Sequence, residues 1–291
     1  MQSTGVFSCG ITFARALALP QKGRHFMKPF SVILTIFIAL VPLTAAAQSQ
    51  TICTLAIDAR QDKTLLTKGD CDRRISPAST FKIALSLMGF DTGILTSPTA
   101  PEWPFQVGYL DARPEWRVDT APDYWMAESV IWYSRQITAR LGMTRFRTYV
   151  DAMEYGNRDL SGTAALDRAW LSDTLQISPA EQVRFLHRML IGDLAVHPSA
   201  VTNTETIMRY VTTSAGWQIY GKTGAGWPRR ADGQLSRDTP FGWYVGWATR
   251  DDQTIIFARL IIDSKRQSTA PGFRARDALI SELFSEGGWF D

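Results

Sequence analysis

The chain has 291 residues, 45% hydrophobic and 20% charged, with 21 Gly and 14 Pro. That is the mixture of a globular protein of one large or two small domains, and it excludes collagen-like and low-complexity disordered chains. The formal charge of +3 belongs to the N-terminal end, where Arg15, Lys22, Arg24 and Lys28 stand in residues 1–47 without an acidic residue. The other 27 basic residues face 28 acidic ones, so no basic stripe is left for nucleic acid and none is expected as a partner. Three Cys and three His make a Cys/His zinc cluster a poor reading, and no metal is expected.

Met27-Lys28-Pro29 precedes an apolar run from Phe30 to Leu43 and then Ala45-Ala46-Ala47. A basic start, a short apolar stretch and a small-residue site read as a secretory signal peptide, residues 1–47, with Met27 as an alternative start. The run falls short of the ~20 apolar residues of a membrane span. The expectation is a mature catalytic domain of residues 48–291, exported to the periplasm and holding no stable membrane anchor after cleavage.

In the mature chain, Thr51 to Ala59 and Lys63 to Lys68 read as strands joined by a turn over Asp58 to Asp62. A hairpin centred on residue 62 sets Cys53 opposite Cys71, and cross-strand neighbours come close enough for a disulfide. In an oxidising compartment that bridge is expected; the alternative is two buried thiols. Ser76-Pro77 reads as an N-cap with proline in the first turn, opening a helix through Thr80 to Gly89. Residues 91–123, rich in Pro and Trp, read as an irregular excursion. Tyr124 to Leu141 reads as a helix ending at Gly142, and Thr144 to Met153 as another. Ser161 to Gln176 is a loop, and Ser178-Pro179-Ala180-Glu181 is a capping box opening a helix to about Ile191. Strands follow at Trp217–Thr223, Phe241–Ala248 and Thr254–Ile262, with a closing helix over Asp277 to Phe284. Strands at both ends with helices between them indicate an α+β fold: one antiparallel sheet built from both termini, carrying an inserted, mainly helical region.

Two motifs carry chemistry. In Ser79-Thr80-Phe81-Lys82, helical spacing puts the Ser79 hydroxyl and the Lys82 amine on one face at a helix start. A serine alcohol attacks only when a base takes its proton, and unpaired N–H groups at a helix start favour an oxyanion. Lys222-Thr223-Gly224 lies on a strand, with Gly221 and Gly224 allowing close approach to the backbone and Lys222 and Thr223 offering a cation and a hydroxyl to a carboxylate. Each motif alone has a bland reading: a cap beside a solvated charge, and a strand end running into a Gly-rich turn. His187 and His197 show no ligand pattern; His187 reads as a surface or half-buried residue.

Together, Ser-x-x-Lys and a distant Lys-Thr-Gly are the signature set of penicillin-recognising serine enzymes. The chain resembles the class D β-lactamases from about Cys53 to Phe284. Ser129-Val130-Ile131 is similar to that family's Ser-x-Val, with Ile131 as a departure that alters the shape of an apolar pocket. Tyr155-Gly156-Asn157, Trp170-Leu171 and the strand Gly242-Trp243-Tyr244-Val245-Gly246-Trp247 match further elements in order.

The resemblance implies roles. It implies that Lys82 is carbamylated by CO2 to N6-carboxylysine, with no other cofactor; an apolar pocket including Val130, Ile131, Trp170 and Leu171 would keep the amine neutral, and the Trp170 indole N–H would hydrogen-bond the carbamate. It implies Ser79 as nucleophile, the backbone N–H groups of Ser79 and Ala225 as oxyanion hole, and Ser129 between Lys82 and Lys222 as proton relay. Tyr155, Asn157 and Thr223 are implied at the substrate. The family places a carboxylate-binding Arg just before its last helix. Arg274 and Arg276 both qualify; the apolar register that follows favours Arg276. Trp103, Met126 and Trp227 are candidate roofs of the cleft.

The expected activity is hydrolysis of β-lactam antibiotics, conferring resistance, by a monomer or homodimer whose substrate spectrum the sequence leaves open. A transpeptidase or carboxypeptidase shares both motifs but usually carries Ser-x-Asn and a membrane anchor. A covalent β-lactam sensor sits behind several membrane spans, whereas this chain has one short apolar run.

Overall fold

A computed structural model describes residues 49–162, 166–171, 174–208, 210–230 and 232–291. The expected signal peptide, residues 1–47, lies outside them. The described residues belong to one compact unit.

Six described strands form one antiparallel sheet: β1 (Ser49–Asp58), β2 (Lys63–Gly69), β3 (Tyr210–Thr212), β4 (Gln218–Gly226), β5 (Phe241–Arg250) and β6 (Gln253–Asp263). Their order is β2-β1-β6-β5-β4-β3, so the N-terminal hairpin is stitched to the C-terminal strands. This is the expected α+β arrangement. β5 is buried along nearly its whole length, because both faces of the sheet are covered. The helices α1 (Lys82–Asp91), α2 (Pro122–Glu128), α3 (Ile131–Ala152), α4 (Pro179–Leu190) and α5 (Pro198–Ile207) belong to the inserted region, and Phe81, Leu85, Trp170 and Trp243 share the larger core. The second core lies under α6 (Pro271–Leu283), where Trp217, Phe257, Leu279 and Phe284 meet.

The expected hairpin register is off by two. Cys53 pairs with Gly69, not with Cys71, and the ladder shifts between Ala56 and Ile57. The disulfide Cys53–Cys71 forms nevertheless, with the Cα atoms 5.0 Å apart. Gly69 takes φ of 83°, and the Asp70 N–H donates to the Ile52 carbonyl at 2.8 Å, so the chain curls back and brings Cys71 alongside Cys53 just past the strand end.

Two helix expectations need correction, and one break falls where it was expected. The single helix over Tyr124 to Leu141 is broken at Ser129, which takes left-handed φ and ψ of 62° and 36°. Gly142, with non-helical φ and ψ of 72° and 162°, interrupts α3 where the break between the two expected helices was placed, so Thr144 to Met153 forms the segment of α3 beyond that kink. The last helix starts at Pro271, six residues before the expected Asp277, so Arg276 lies inside it. Proline fits the first helical turn, and the apolar register of residues 277–284 describes only the later turns. The capping box at Ser178 and Glu181 forms as expected. Helix α5 and edge strand β3 fill a stretch in which no element was expected; β3 is exposed throughout and carries no buried alternation to reveal it.

Candidate active site

The nucleophile turn is built by backbone geometry. Ala78–Phe81 is one turn of 3-10 helix leading into α1, and Ala78 has φ of 49°, a strained value for a non-glycine residue. Ser76 was expected to cap this helix. The N-cap position falls to Pro77, and Ser76 Oγ, while accepting from the Ala78 N–H at 3.4 Å, donates to the Trp170 carbonyl at 2.7 Å, to which the Ala78 N–H also donates at 3.1 Å. The loop bearing Trp170 is thereby pinned to the turn bearing Ser79. Ser79 itself is part-exposed, and Lys82 one turn on is completely buried.

The lysine pocket is dry and aromatic. The Phe81 ring stacks on Trp170 at 5.3 Å between centroids and meets Tyr155 edge-on at 5.1 Å. Burial holds the Lys82 amine well below the ordinary lysine pKa, and the positive charges of Lys222 and Arg113 push it further in the same direction. Lys82 Nζ and Trp170 Nε1 are both buried without a hydrogen-bond partner. Unpaired buried polar atoms are rare and costly, and the Tyr155 hydroxyl, beside the same Phe81 ring, is a third.

Tyr155 and Asn157, expected at the substrate, are placed as scaffold. Tyr155 is fully buried beside Phe81 and Phe185, and burial drives its phenol well above the ordinary tyrosine pKa. Asn157 donates to the Thr174 carbonyl at 2.8 Å and accepts from the Gln176 N–H at 2.9 Å. Both polar ends are consumed in tying down the loop that carries Trp170. Gly156 between them has φ of 57°, and a Cβ there would lie 2.0 Å from the Gln176 carbonyl oxygen. The motif works by fixing that loop.

On the other wall, Lys222 on β4 is 5% exposed, and its Nζ donates to Ser129 Oγ at 3.1 Å. β4 passes alongside the nucleophile turn: a Cβ at Gly224 would lie 3.0 Å from the Pro77 carbonyl oxygen. Ala225, next along, is exposed. Lys222, Thr223, Met126, Tyr244, Phe273 and Arg276 line one cavity. Gly221 is required there, because a Cβ would lie 2.4 Å from the Tyr244 hydroxyl. Arg276 therefore faces the strand of the Lys-Thr-Gly motif, whereas Arg274 is bonded to the fully buried Asp263 carboxylate and to Ser49. Trp227 lines a neighbouring cavity with Ala225, and Trp103 stacks on Tyr133 beneath Arg140. Tyr244 and Phe273 were missed: Tyr244 lies within a quoted motif, but nothing in its spacing tells which face of β5 meets the cavity. Among the described residues no group of His, Cys, Asp and Glu could hold a metal ion.

A part-exposed serine one turn before a buried lysine at a helix start, closed by Lys-Thr-Gly on the adjacent strand, defines the class of penicillin-recognising serine enzymes. The family model described as the penicillin-binding protein transpeptidase domain matches residues 45–284. Among curated relatives, β-lactamase OXA-9 of Klebsiella pneumoniae is 38% identical over 253 residues, 84% of this chain and 92% of its own. β-Lactamase OXA-1 of Escherichia coli is 35% identical over 242 residues, 79% of this chain and 83% of its own. The crystal structure of OXA-427 class D β-lactamase is 44% identical with a TM-score of 0.74, covering 80% of this chain and 96% of that one. The chain belongs to the class D β-lactamases.

Proposed function

We propose that this enzyme hydrolyses the β-lactam amide through an ester on Ser79, and that CO2 taken up by Lys82 supplies the general base. One observation carries the reading: a fully buried lysine amine with a depressed pKa and no hydrogen-bond partner, in a core where the indole N–H of Trp170, stacked on the adjacent Phe81, is equally unpartnered. A neutral amine is nucleophilic toward CO2, and Trp170 Nε1 is the donor that would hold the charge so formed.

Ser79 Oγ gives its proton to the Lys82 side chain and attacks the lactam carbonyl carbon. The backbone N–H groups of Ser79 and Ala225 receive the developing oxyanion; removing one such donor typically costs about 3–4 kcal/mol of barrier. The C–N bond then breaks, its electron pair stays on the ring nitrogen, and Ser129, with Lys222 beside it, passes that nitrogen a proton and takes one back from the Lys82 side chain, which is thereby free to act as base again. Thr223 and Arg276 bind the substrate carboxylate. Water, deprotonated at the Lys82 side chain, attacks the ester carbonyl, and Ser79 Oγ leaves with its proton restored. The burial of the pocket excludes bulk water and keeps the Lys82 amine neutral, the form that takes up CO2.

The signal peptide over residues 1–47 and export to the periplasm belong to the same proposal. They are supported by the sequence pattern and the Cys53–Cys71 bridge; no helix among the described residues is long and apolar enough to cross a membrane. The deciding experiment mixes the purified enzyme with a chromogenic cephalosporin. Many turnovers per enzyme are expected; one stoichiometric burst would identify a covalent binder instead.

A further inference from the structure

The excursion between α1 and α2 supplies none of the catalytic motifs, yet it grips the peptide group before Ser129. Trp116 Nε1 and Arg113 Nη2 each donate to the Glu128 carbonyl oxygen, both at 3.0 Å. The Arg113 guanidinium also lies 3.5 Å from the Glu128 carboxylate and 5.4 Å from the Trp116 ring centroid. Beyond Ser129, Trp132 Nε1 on the first turn of α3 donates to the carbonyl of Trp116 itself at 2.7 Å. One short strap thus holds residues on both sides of Ser129, and Trp116 is 8% exposed at its centre.

The gripped carbonyl belongs to the peptide plane whose rotation sets φ of Ser129. Serine in the left-handed region is strained, and such a conformation persists only where its surroundings over-determine it. Relaxing toward an ordinary backbone would turn the Glu128 carbonyl off both donors and carry Ser129 Oγ away from Lys222 Nζ. We infer that Arg113 and Trp116 are positioning residues for Ser129: by fixing the Glu128 carbonyl they hold the Ser129 hydroxyl on Lys222 and set the rate at which the leaving ring nitrogen receives its proton. This rests on the role proposed above for Ser129. The proton transfer belongs to acylation alone, so a strap acting through Ser129 leaves deacylation untouched.

The test measures acylation and deacylation rates separately by stopped flow, using a penicillin and the full mature enzyme at saturating bicarbonate, so that the effect of the Arg113 charge on the Lys82 amine does not enter the rates. The variants are Arg113→Ala, Trp116→Phe (ring kept, donor removed), their combination, Ser129→Ala, and the combination in the Ser129→Ala background. The combined variant should acylate on the order of tenfold more slowly, as loss of hydrogen bonds to one group implies, with deacylation unchanged. Arg113→Lys, which keeps a cationic donor, should recover part of the rate. Arg117→Ala, an exposed neighbour paired with Asp111, should leave both rates alone. In the Ser129→Ala background the strap substitutions should change nothing further. An equal slowing in that background, or unchanged acylation in variants of the strap while Ser129→Ala is slow, overturns the inference and leaves the proposed function standing. Parental acylation by Ser129→Ala overturns both. Should the combined variant not fold, Arg113→Ala, whose side chain is 40% exposed, carries the same comparison.

Discussion

Lys222 Nζ donates to Ser129 Oγ at 3.1 Å, joining the sheet to the break between α2 and α3 across 93 residues of sequence. The same ammonium lowers the pKa of Lys82, after burial and ahead of Arg113. Removing it by Lys222→Gln takes away a neighbouring positive charge, so the Lys82 pKa rises and a smaller fraction of the amine is neutral at any given pH. The acid limb of kcat against pH, measured at fixed bicarbonate, should therefore move to higher pH. A limb that stays in place would separate Lys82 from the titration.

Ser79→Ala should abolish turnover and covalent labelling by penicillin while leaving the thermal midpoint near that of the parent, because Ser79 is part-exposed and the turn is held by Ser76, Ala78 and Thr80. Intact-mass measurement after incubation with penicillin checks this. An adduct on Ser79→Ala would assign the nucleophile elsewhere.

Trp170→Phe keeps the stack on Phe81 and removes the indole donor. Losing a partner for a buried charge costs about 1–3 kcal/mol, and 1.4 kcal/mol is tenfold in an equilibrium, so occupancy of Lys82 by CO2 should drop about tenfold. Added bicarbonate should raise turnover more steeply in Trp170→Phe than in the parent, and a carbon-13 signal from labelled bicarbonate should weaken in the variant. Lowering the pH should act like the substitution, since a proton competes with CO2 for the amine. A flat bicarbonate response in both proteins, with no carbon-13 signal, would remove the proposed base.

The Cys53–Cys71 bridge closes a loop of 18 residues. Chain-entropy arguments give about 3 kcal/mol for a loop of this size. Reduction, or Cys53→Ala with Cys71→Ala, should lower the thermal midpoint while barely changing kcat, because the hairpin lies at the β2 edge of the sheet, away from Lys222. Calorimetry with and without reductant measures it; an unchanged midpoint would mean that the bridge constrains nothing.

Arg274 and Arg276, two residues apart, should fail differently. Arg274→Ala strands the fully buried Asp263 carboxylate, and breaking a buried pair in this way costs about 3–5 kcal/mol of stability. Arg276→Ala leaves a cavity-lining position without its cation and should raise KM for carboxylate-bearing β-lactams with little change in stability. Denaturant unfolding and steady-state kinetics on the two variants separate these outcomes.

Features set by local hydrogen bonding or by pattern were legible in the chain. The one-turn spacing of Ser79 and Lys82, the capping box at Ser178, the turn at Asp58 to Asp62 and the alternation of the strands depend on neighbours a few residues away. Motif spacing added Ser129, Trp170 and Lys222 through the resemblance. Tertiary closure decided the rest. Ser76 left its expected cap because the Trp170 carbonyl came within reach, and Ser129 left the helix because a strap from a distant, patternless segment holds its peptide group. Asn157 became scaffold because its amide meets a loop folded over it, and Tyr155 because its ring is buried against Phe81 and Phe185. Which of Arg274 and Arg276 lines the cavity beside Lys222 turned on where β6 buried Asp263, the carboxylate that holds Arg274. A residue's type and spacing state what it can bond; only closure of the chain, by bringing remote donors, acceptors and charges into one low-dielectric space, states what it does bond.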